Sequence, residues 1–229
     1  MMFINKRMLL DGMSVYRFLI NIGVFILFVA VMTVIVHKHV AKRSYSLRLK
    51  KSVFILNEAM RYVTTQPFEE DDGNDIYYWY LSEAIKRNLK SFECGEKNKH
   101  KNKACPTKEY YTMNGKAKIS DLVYKNGIDI VVDDKLFRVN KPIMKDDPLI
   151  VLIDINGGND KPNKLGYDVF VFQLIDKNFV ALGEPGTLYP VTNYKFYCNP
   201  ESISKDELLG VNCAYYAAKD DKYFLNLKF

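Results

Sequence analysis

The sequence of this 229-residue chain lacks the short motifs that usually mark an enzyme. There is no GxSxG, no glycine-rich phosphate loop and no HExxH, and only one histidine, His100, lies beyond residue 39. A hydrolase needs a nucleophile with a neighbouring base to activate it. The paired carboxylates at 69–72, 146–147 and 220–221 stand in runs typical of solvated turns. The sequence therefore predicts that the protein is not an enzyme.

Basic residues interleaved with aromatic side chains are also missing, which argues against binding to nucleic acid. The net charge is +6, but much of the excess lies just after a long apolar run and in the lysine-rich segment 97–103. With 48% apolar and 26% charged residues, the composition is that of a folded chain. The length favours one domain of ordinary size plus an appendage.

Cysteine is scarce, and its spacing fits neither a CxxC pair nor a zinc site. The four cysteines allow three pairings. We favour Cys94–Cys105 and Cys198–Cys213, because each closes a polar loop between structured segments and would stabilise the fold by about 3 kcal/mol. The alternative is four free thiols in a cytosolic protein, and a membrane anchor weakens that interpretation.

One uncharged run, FLINIGVFILFVAVMTVIV at residues 18–36, is long enough to cross a bilayer as a helix. A cleaved signal sequence usually has a shorter apolar core that ends in small residues, so we favour a transmembrane anchor. Orientation stays open at this point. The positive-inside rule places the C-terminal side in the cytoplasm, whereas disulfide-bonded cysteines place it outside.

Helical periodicity continues beyond the apolar run. Apolar residues recur at steps of four and three at Leu49, Val53, Leu56, Met60 and Val63, which is typical of an amphipathic helix. Because no Pro or Gly interrupts residues 24–66, we predict one helix from about residue 14 to about residue 65, which Pro67 ends.

The rest of the chain predicts a short helix followed by strands. The spacing of apolar residues indicates a helix over 75–92. Runs of β-branched and aromatic residues at 128–132, 136–139, 149–153, 169–174 and 179–182 indicate strands, joined by turns at 133–135 and 176–178. A final strand is expected at 223–227. We predict an α+β fold in which an antiparallel meander packs on the long helix.

The segment 154–168 is the most chemically suggestive part of the sequence. Carboxylates and amides supply the hard oxygen ligands that calcium prefers, and two glycines let the backbone bend so that carbonyl oxygens can join them. The spacing is not that of an EF-hand, and a loop of Asx turns without any metal is the alternative. The candidate calcium ligands are Asp154, Asn156, Asp160, Asn163 and Asp168.

Several segments, in order, resemble the type IV pilins and type II secretion pseudopilins. Residues 12–24 align with the pattern G-F-T-L-x-E-x-L-I-x-x-G-I, and a basic leader precedes them. Residues 46–51 and 56–60 resemble an RLKK…LNQAM stretch of pilin-like sequences. Residues 154–172 resemble their D-x-N-G…P-N-x-x-G-x-D-x-F-x-F segment, and the loop between the last two cysteines lies where such sequences end.

This resemblance implies a pilin-like fold and a specific processing event. A prepilin peptidase would cut after Gly12 on the cytoplasmic face and methylate Met13. The chain would then comprise a leader (1–12), a long helix (13–66) and an exported α+β domain (67–229). The domain would be periplasmic and held by the inner membrane, which resolves the orientation in favour of the disulfides.

Arg17 departs from the family pattern, which usually has Glu at this position. A carboxylate there can neutralise the terminal amine of a neighbouring subunit within the membrane, where an unpaired charge is costly, whereas arginine would add repulsion. One interpretation is that Arg17 snorkels to the cytoplasmic headgroups. The other is a subunit that caps or initiates a filament, or never joins one.

The resemblance leads to two hypotheses for function. The first is a minor pseudopilin-like structural subunit whose partners are other pilin-like subunits and the secretion or pilus machinery. The second is a stand-alone, membrane-anchored periplasmic binding protein with a pilin-like fold that is neither processed nor assembled. A membrane-tethered enzyme would need a pocket of convergent polar groups that the sequence does not indicate.

Overall fold

A computed structural model describes residues 6–66, 74–87, 91–95, 102–106, 109–120, 127–144, 147–191 and 198–227. Within helix α1 the side chains of residues 6–15 and 37–38 lie outside this description. The chain divides into two compact units, Met1–Arg43 and Ser44–Phe229. The second unit therefore begins inside α1, earlier than the predicted domain boundary at residue 67.

Helix α1 runs over Lys6–Val63. From Tyr16 onward it is long and apolar enough to cross a membrane, and the side chains of residues 18–36 are exposed. The helix begins before the predicted residue 14, and it ends two residues before the predicted residue 65. After Val63 the α-helical pattern ends in a tighter turn, because the amide of Thr65 donates to the carbonyl of Tyr62, three residues earlier (3.1 Å). Pro67 follows, and proline disfavours helical geometry in the residue before it.

Helix α2 spans Asn74–Lys86 and is followed by a short strand, β1, at Ser91–Glu93. The predicted helix over 75–92 was therefore too long. Leu81 and Ile85 do face the core, but Phe92 lies in β1, opposite Val131 of the next strand. A strand of three residues leaves no alternation in the sequence that could separate it from the end of a helix.

A six-stranded antiparallel sheet forms the centre of the second unit. Strands β2–β6 span Gly127–Val132, Lys135–Asn140, Ile150–Asp154, Val169–Ile175 and Asn178–Ala181, and each strand pairs with its neighbours in chain order. Two-residue turns at 133–134 and 176–177 have positive φ at both positions, as the right-handed twist of a hairpin favours. The prediction of an α+β fold with an antiparallel meander is confirmed.

Both faces of this sheet are covered. One face, which includes Phe137 and Phe170, joins a hydrophobic cluster with α1 residues such as Leu49, Leu56 and Met60. The opposite face, which includes Leu152 and Val171, packs with the segment around Cys94, Cys105 and Tyr110. All five residues of β4 are consequently buried, as is typical of a strand with no solvent face.

Two short helices end the described chain: α3 at Cys213–Lys219 and α4 at Tyr223–Asn226. The predicted strand at 223–227 was wrong. Phe224 is buried against Phe170 of β5 and stacks on Tyr45 of α1, with ring centroids 5.6 and 6.2 Å apart. Aromatic residues are compatible with a strand or with a buried helical turn. Here Tyr223 and Phe224 form a helical turn and are buried in the hydrophobic cluster on the α1 side of the sheet.

Candidate functional site: a buried carboxylate pair

The loop 154–168 connects β4 to β5 and brings two carboxylates together at one end of the sheet. Asp154 is the last residue of β4 and pairs with Val169, the first residue of β5, so Asp168 is held close to Asp154. Both aspartates have an exposed fraction of 0%. Their proximity follows from the strand register, since the loop must leave and return at the same point.

Asp154 is held by hydrogen bonds from its own loop and from a distant tyrosine. Its Oδ1 accepts from the amides of Asn156 (3.2 Å) and Gly157 (2.9 Å). Its Oδ2 accepts from the hydroxyl of Tyr110 at 2.9 Å. This carboxylate therefore caps the turn that starts the loop, which is the Asx-turn geometry expected as the alternative to a metal site.

Asp168 caps the other end of the loop in the same way. Its Oδ2 accepts from the amide of Asn163 and its Oδ1 from the amide of Lys164, both at 2.8 Å. Asn163 has a positive φ of 52°, which asparagine tolerates better than most residues. The two aspartates therefore fold the loop inward from both ends.

The pair carries an electrostatic cost. Among the described residues neither carboxylate forms an ion pair. Burial, and after it the charge of Asp168, raises the pKa of Asp154 well above its ordinary value. Burial likewise raises the pKa of Asp168 to about 6, although backbone hydrogen bonds from Lys164 and Asn163 oppose that rise. A proton or a bound cation would relieve the repulsion between the two groups.

Two residues of α1 border the pair. Arg48 donates from Nη1 to the carbonyl of Ile155 at 3.3 Å and so fixes the backbone that follows Asp154. Burial, and after it the charge of Asp168, raises the pKa of Tyr45. The roles of Tyr45, Arg48 and Tyr110 could not be predicted from the sequence, because no spacing rule relates side chains so far apart in the chain.

Two asparagines of the loop carry uncharged amide oxygens that could bind a metal ion. The Oδ1 atoms of Asn156 and Asn163 are buried and accept no hydrogen bond from the described residues. The amide nitrogen of Asn163 donates to the carbonyl of Gly158 at 2.8 Å, and that of Asn156 donates to the carbonyl of Lys161 at 3.2 Å. Calcium prefers such oxygens. Four of the five candidate ligands, Asp154, Asn156, Asn163 and Asp168, are buried, whereas Asp160 is exposed.

No group of three or more His, Cys, Asp or Glu side chains suited to a metal occurs in the part of the chain that the structure describes. A cation at the pair would therefore rest on two carboxylates, amide oxygens and backbone carbonyls. Asp154, Asp168, Asn156 and Asn163 are the residues that would hold it, and it would supply the positive charge that the pair lacks.

The structure joins Cys94 to Cys105 and Cys198 to Cys213, the pairs favoured from the sequence. The backbone at Gly12 and Met13 is part of α1, and their side chains lie outside the described residues. Arg17 is exposed on the same helix, just before the apolar run.

Comparisons of this chain with protein-family models, with curated proteins and with solved structures find no match.

Proposed function

We propose that the chain is a minor pilin-like structural subunit of a type II secretion or type IV pilus machine, anchored in the inner membrane with its disulfide-bonded domain in the periplasm. The observation that carries the proposal is α1 itself. One uninterrupted helix holds an exposed apolar run in its first half, and its second half supplies core residues to an antiparallel sheet.

The apolar run has the dimensions of an anchor. Nineteen residues at 1.5 Å per residue make a helix of roughly 28 Å, close to the roughly 30 Å of a bilayer's hydrocarbon core. Two disulfides in the second unit support a location outside the cytoplasm, because the cytosol keeps most thiols reduced. Together these features support a single-pass protein with a cytoplasmic N-terminus.

Arg17 favours a minor subunit over a repeating one. An exposed arginine at the membrane boundary cannot neutralise the terminal amine of a neighbouring copy. A subunit present once, at the end of a filament, has no need of that pairing with another copy of itself. Its work would be mechanical: α1 would pack with the helices of other pilin-like subunits, and the domain would contact partners or cargo.

Mass spectrometry of the mature N-terminus, on protein isolated from its native host, tests this proposal. A chain that starts at an N-methylated Met13 supports processing by a prepilin peptidase, and Gly12→Glu should abolish it. Gly23→Ala is the matched control, because a Cβ at Gly23 meets nothing within 4 Å. An intact leader would instead support the alternative, a stand-alone membrane-anchored periplasmic binding protein.

We also propose that the loop 154–168 binds calcium. The support is physical: two buried carboxylates without an ion-pair partner among the described residues lie with two buried amide oxygens that accept no hydrogen bond there. Calcium would remove the charge repulsion and hold the loop closed.

A further inference from the structure

A surface groove of about 700 Å³ lies between residues 161–164 of the loop and the segment 109–115, and its charged groups are not those of the buried pair. Its walls come from two segments far apart in the chain. The lining residues are Glu109, Tyr111, Gly115, Lys161, Pro162, Asn163 and Lys164.

Backbone pairing fixes the centre of this groove. Tyr111 forms an antiparallel bridge with Lys118 on one side and a parallel bridge with Lys164 on the other. The amide of Tyr111 donates to the carbonyl of Asn163 (2.9 Å), and the amide of Leu165 donates to the carbonyl of Tyr111 (3.0 Å). Directly paired residues share a face, so the tyrosine side chain is flanked by two lysines.

The charges along the groove do not cancel. Lys118 is paired with Glu109, whose other oxygen accepts from the hydroxyl of Tyr111 at 3.2 Å. Lys161 is exposed and Lys164 is half-buried, and no carboxylate in the described residues pairs with either. Within the described part of the chain, the groove therefore presents two ammonium groups that no carboxylate pairs with. They lie next to the ring of Tyr111 and next to Glu109, whose charge Lys118 neutralises.

Gly115 leaves the room that one of these ammonium groups occupies. A Cβ at this position would lie 2.9 Å from Nζ of Lys164, and the φ of +72° also favours glycine. The ammonium lies 5.9 Å from the ring centroid of Tyr167, at the outer limit of a cation–π contact. Glycine at position 115 therefore allows the ammonium group of Lys164 to lie where it does.

We propose that this groove binds an acidic polysaccharide through a carboxylated sugar. Its carboxylate would pair with Lys161 and Lys164, a ring hydroxyl would donate to Glu109, and the apolar face of the sugar would lie on Tyr111. Glu109 favours a hydroxyl-rich sugar over a nucleic-acid backbone, because a carboxylate accepts hydrogen bonds from hydroxyl groups, whereas phosphodiester oxygens only accept. The inference does not depend on the proposed function.

The test uses the full chain in phosphatidylcholine nanodiscs and measures binding of trigalacturonic acid by isothermal titration calorimetry. The methyl ester of the same sugar is the neutral control ligand. We expect the acid to bind and the ester to bind at least about tenfold more weakly, since two exposed ion pairs of a few-fold each multiply. The double variant Lys161→Gln/Lys164→Gln should lose as much affinity for the acid.

Matched variants separate this site from general attraction to a basic protein. Lys141→Gln removes a charge from an exposed lysine that lines a different cleft, and it should change the affinity by less than about twofold. Lys164→Arg, which keeps the charge, should retain binding. Tyr111→Leu should weaken the sugar acid while leaving binding of a glutamate tripeptide unchanged.

Three results would overturn the proposal. The first is no heat of binding at millimolar trigalacturonic acid. The second is an equal loss of affinity in the Lys141 variant and in the double variant. The third is tighter binding of the glutamate tripeptide or of a short oligonucleotide, since either would show that the groove recognises charge without a sugar.

Discussion

Replacing Asp154 by asparagine should stabilise this protein at neutral pH. Asparagine has the same shape, and its Oδ1 can still accept from the amides of Asn156 and Gly157. The new amide nitrogen takes the place of Oδ2, where the hydroxyl oxygen of Tyr110 can accept from it. The substitution removes one buried charge without removing a hydrogen-bonded group.

The pH dependence expected of the parent follows from the pKa of Asp168, which rises because this carboxyl group is itself buried. Asp168 has a pKa of about 6 in the folded protein against an ordinary value of 3.8. Because the folded state holds its proton to higher pH than the unfolded state, stability is greatest at low pH and falls as the pH rises from about 4 through 6. The shift corresponds to roughly 3 kcal/mol at pH values well above 6.

Thermal unfolding of the full chain in detergent, followed by circular dichroism in a chelator, measures this effect. About half of that loss, roughly 1.4 kcal/mol, falls between pH 5 and pH 7.5, and for a chain of this size it corresponds to about 3–6 °C in Tm. The parent should melt lower at about pH 7.5 than at about pH 5. Asp154→Asn should raise the Tm at pH 7.5 and raise it less at pH 5, because the folded parent still holds its proton at pH 5.

Asp160→Asn is the control within the same loop, since Asp160 is exposed and its charge needs no burial. The groups with lowered pKa, Glu109 and Asp221, titrate below the pH range that is compared. A parent Tm that is flat or rises between pH 5 and 7.5 would refute the reasoning. So would an Asp154→Asn variant that is destabilised equally at both pH values.

Three further outcomes are expected. Calcium at about 100 times its dissociation constant should stabilise the parent by about 2.7 kcal/mol at pH 7.5. Magnesium and the Asp154→Asn variant serve as controls, and equal shifts with both metals would contradict a calcium site. Leu56→Ala should lower the free energy of unfolding by about 2–5 kcal/mol, because Leu56 is fully buried. Phe54→Ala on the same helix should lower it far less, because Phe54 is 63% exposed. Chemical unfolding compares the two variants, and equal losses would contradict the assigned helix face. Gly210→Ala should lower the Tm by several degrees, because φ is +101° and the added Cβ would lie 2.8 Å from Cβ of Leu165. An unchanged Tm would contradict this, since it would show that the turn tolerates a side chain.

The sheet was largely predictable from sequence for identifiable reasons. Strands β2 to β6 are dense in β-branched and aromatic residues, and polar turn residues bound them. The turns at 133–134 and 176–177 contain aspartate, which tolerates the positive φ that they need. Local chemistry therefore located these strands to within one residue at each end.

The elements that were mispredicted depend on distant contacts. Phe92 is in a strand because Val131 pairs with it, and Phe224 is in a helix because it packs on Phe170 and Tyr45. The same limit applies to the candidate site. The sequence identified the oxygen donors of the loop, but Tyr110 reaches Asp154 across 44 residues of chain, and no local pattern encodes that contact.

The two disulfides close loops of 11 and 15 residues, and neither involves α1. Apart from the peptide chain that continues beyond Val63, the described contacts that hold the second half of α1 to the sheet and its loops are apolar burial, hydrogen bonds and ion pairs such as Lys51–Asp133. In an oxidising compartment the disulfides form and link segments beside the sheet covalently, but they add no covalent bond to the helix. Reduction of the disulfides and separation of the helix from the sheet are therefore separate events, and no disulfide among the described residues opposes a mechanical load that pulls α1 off the sheet.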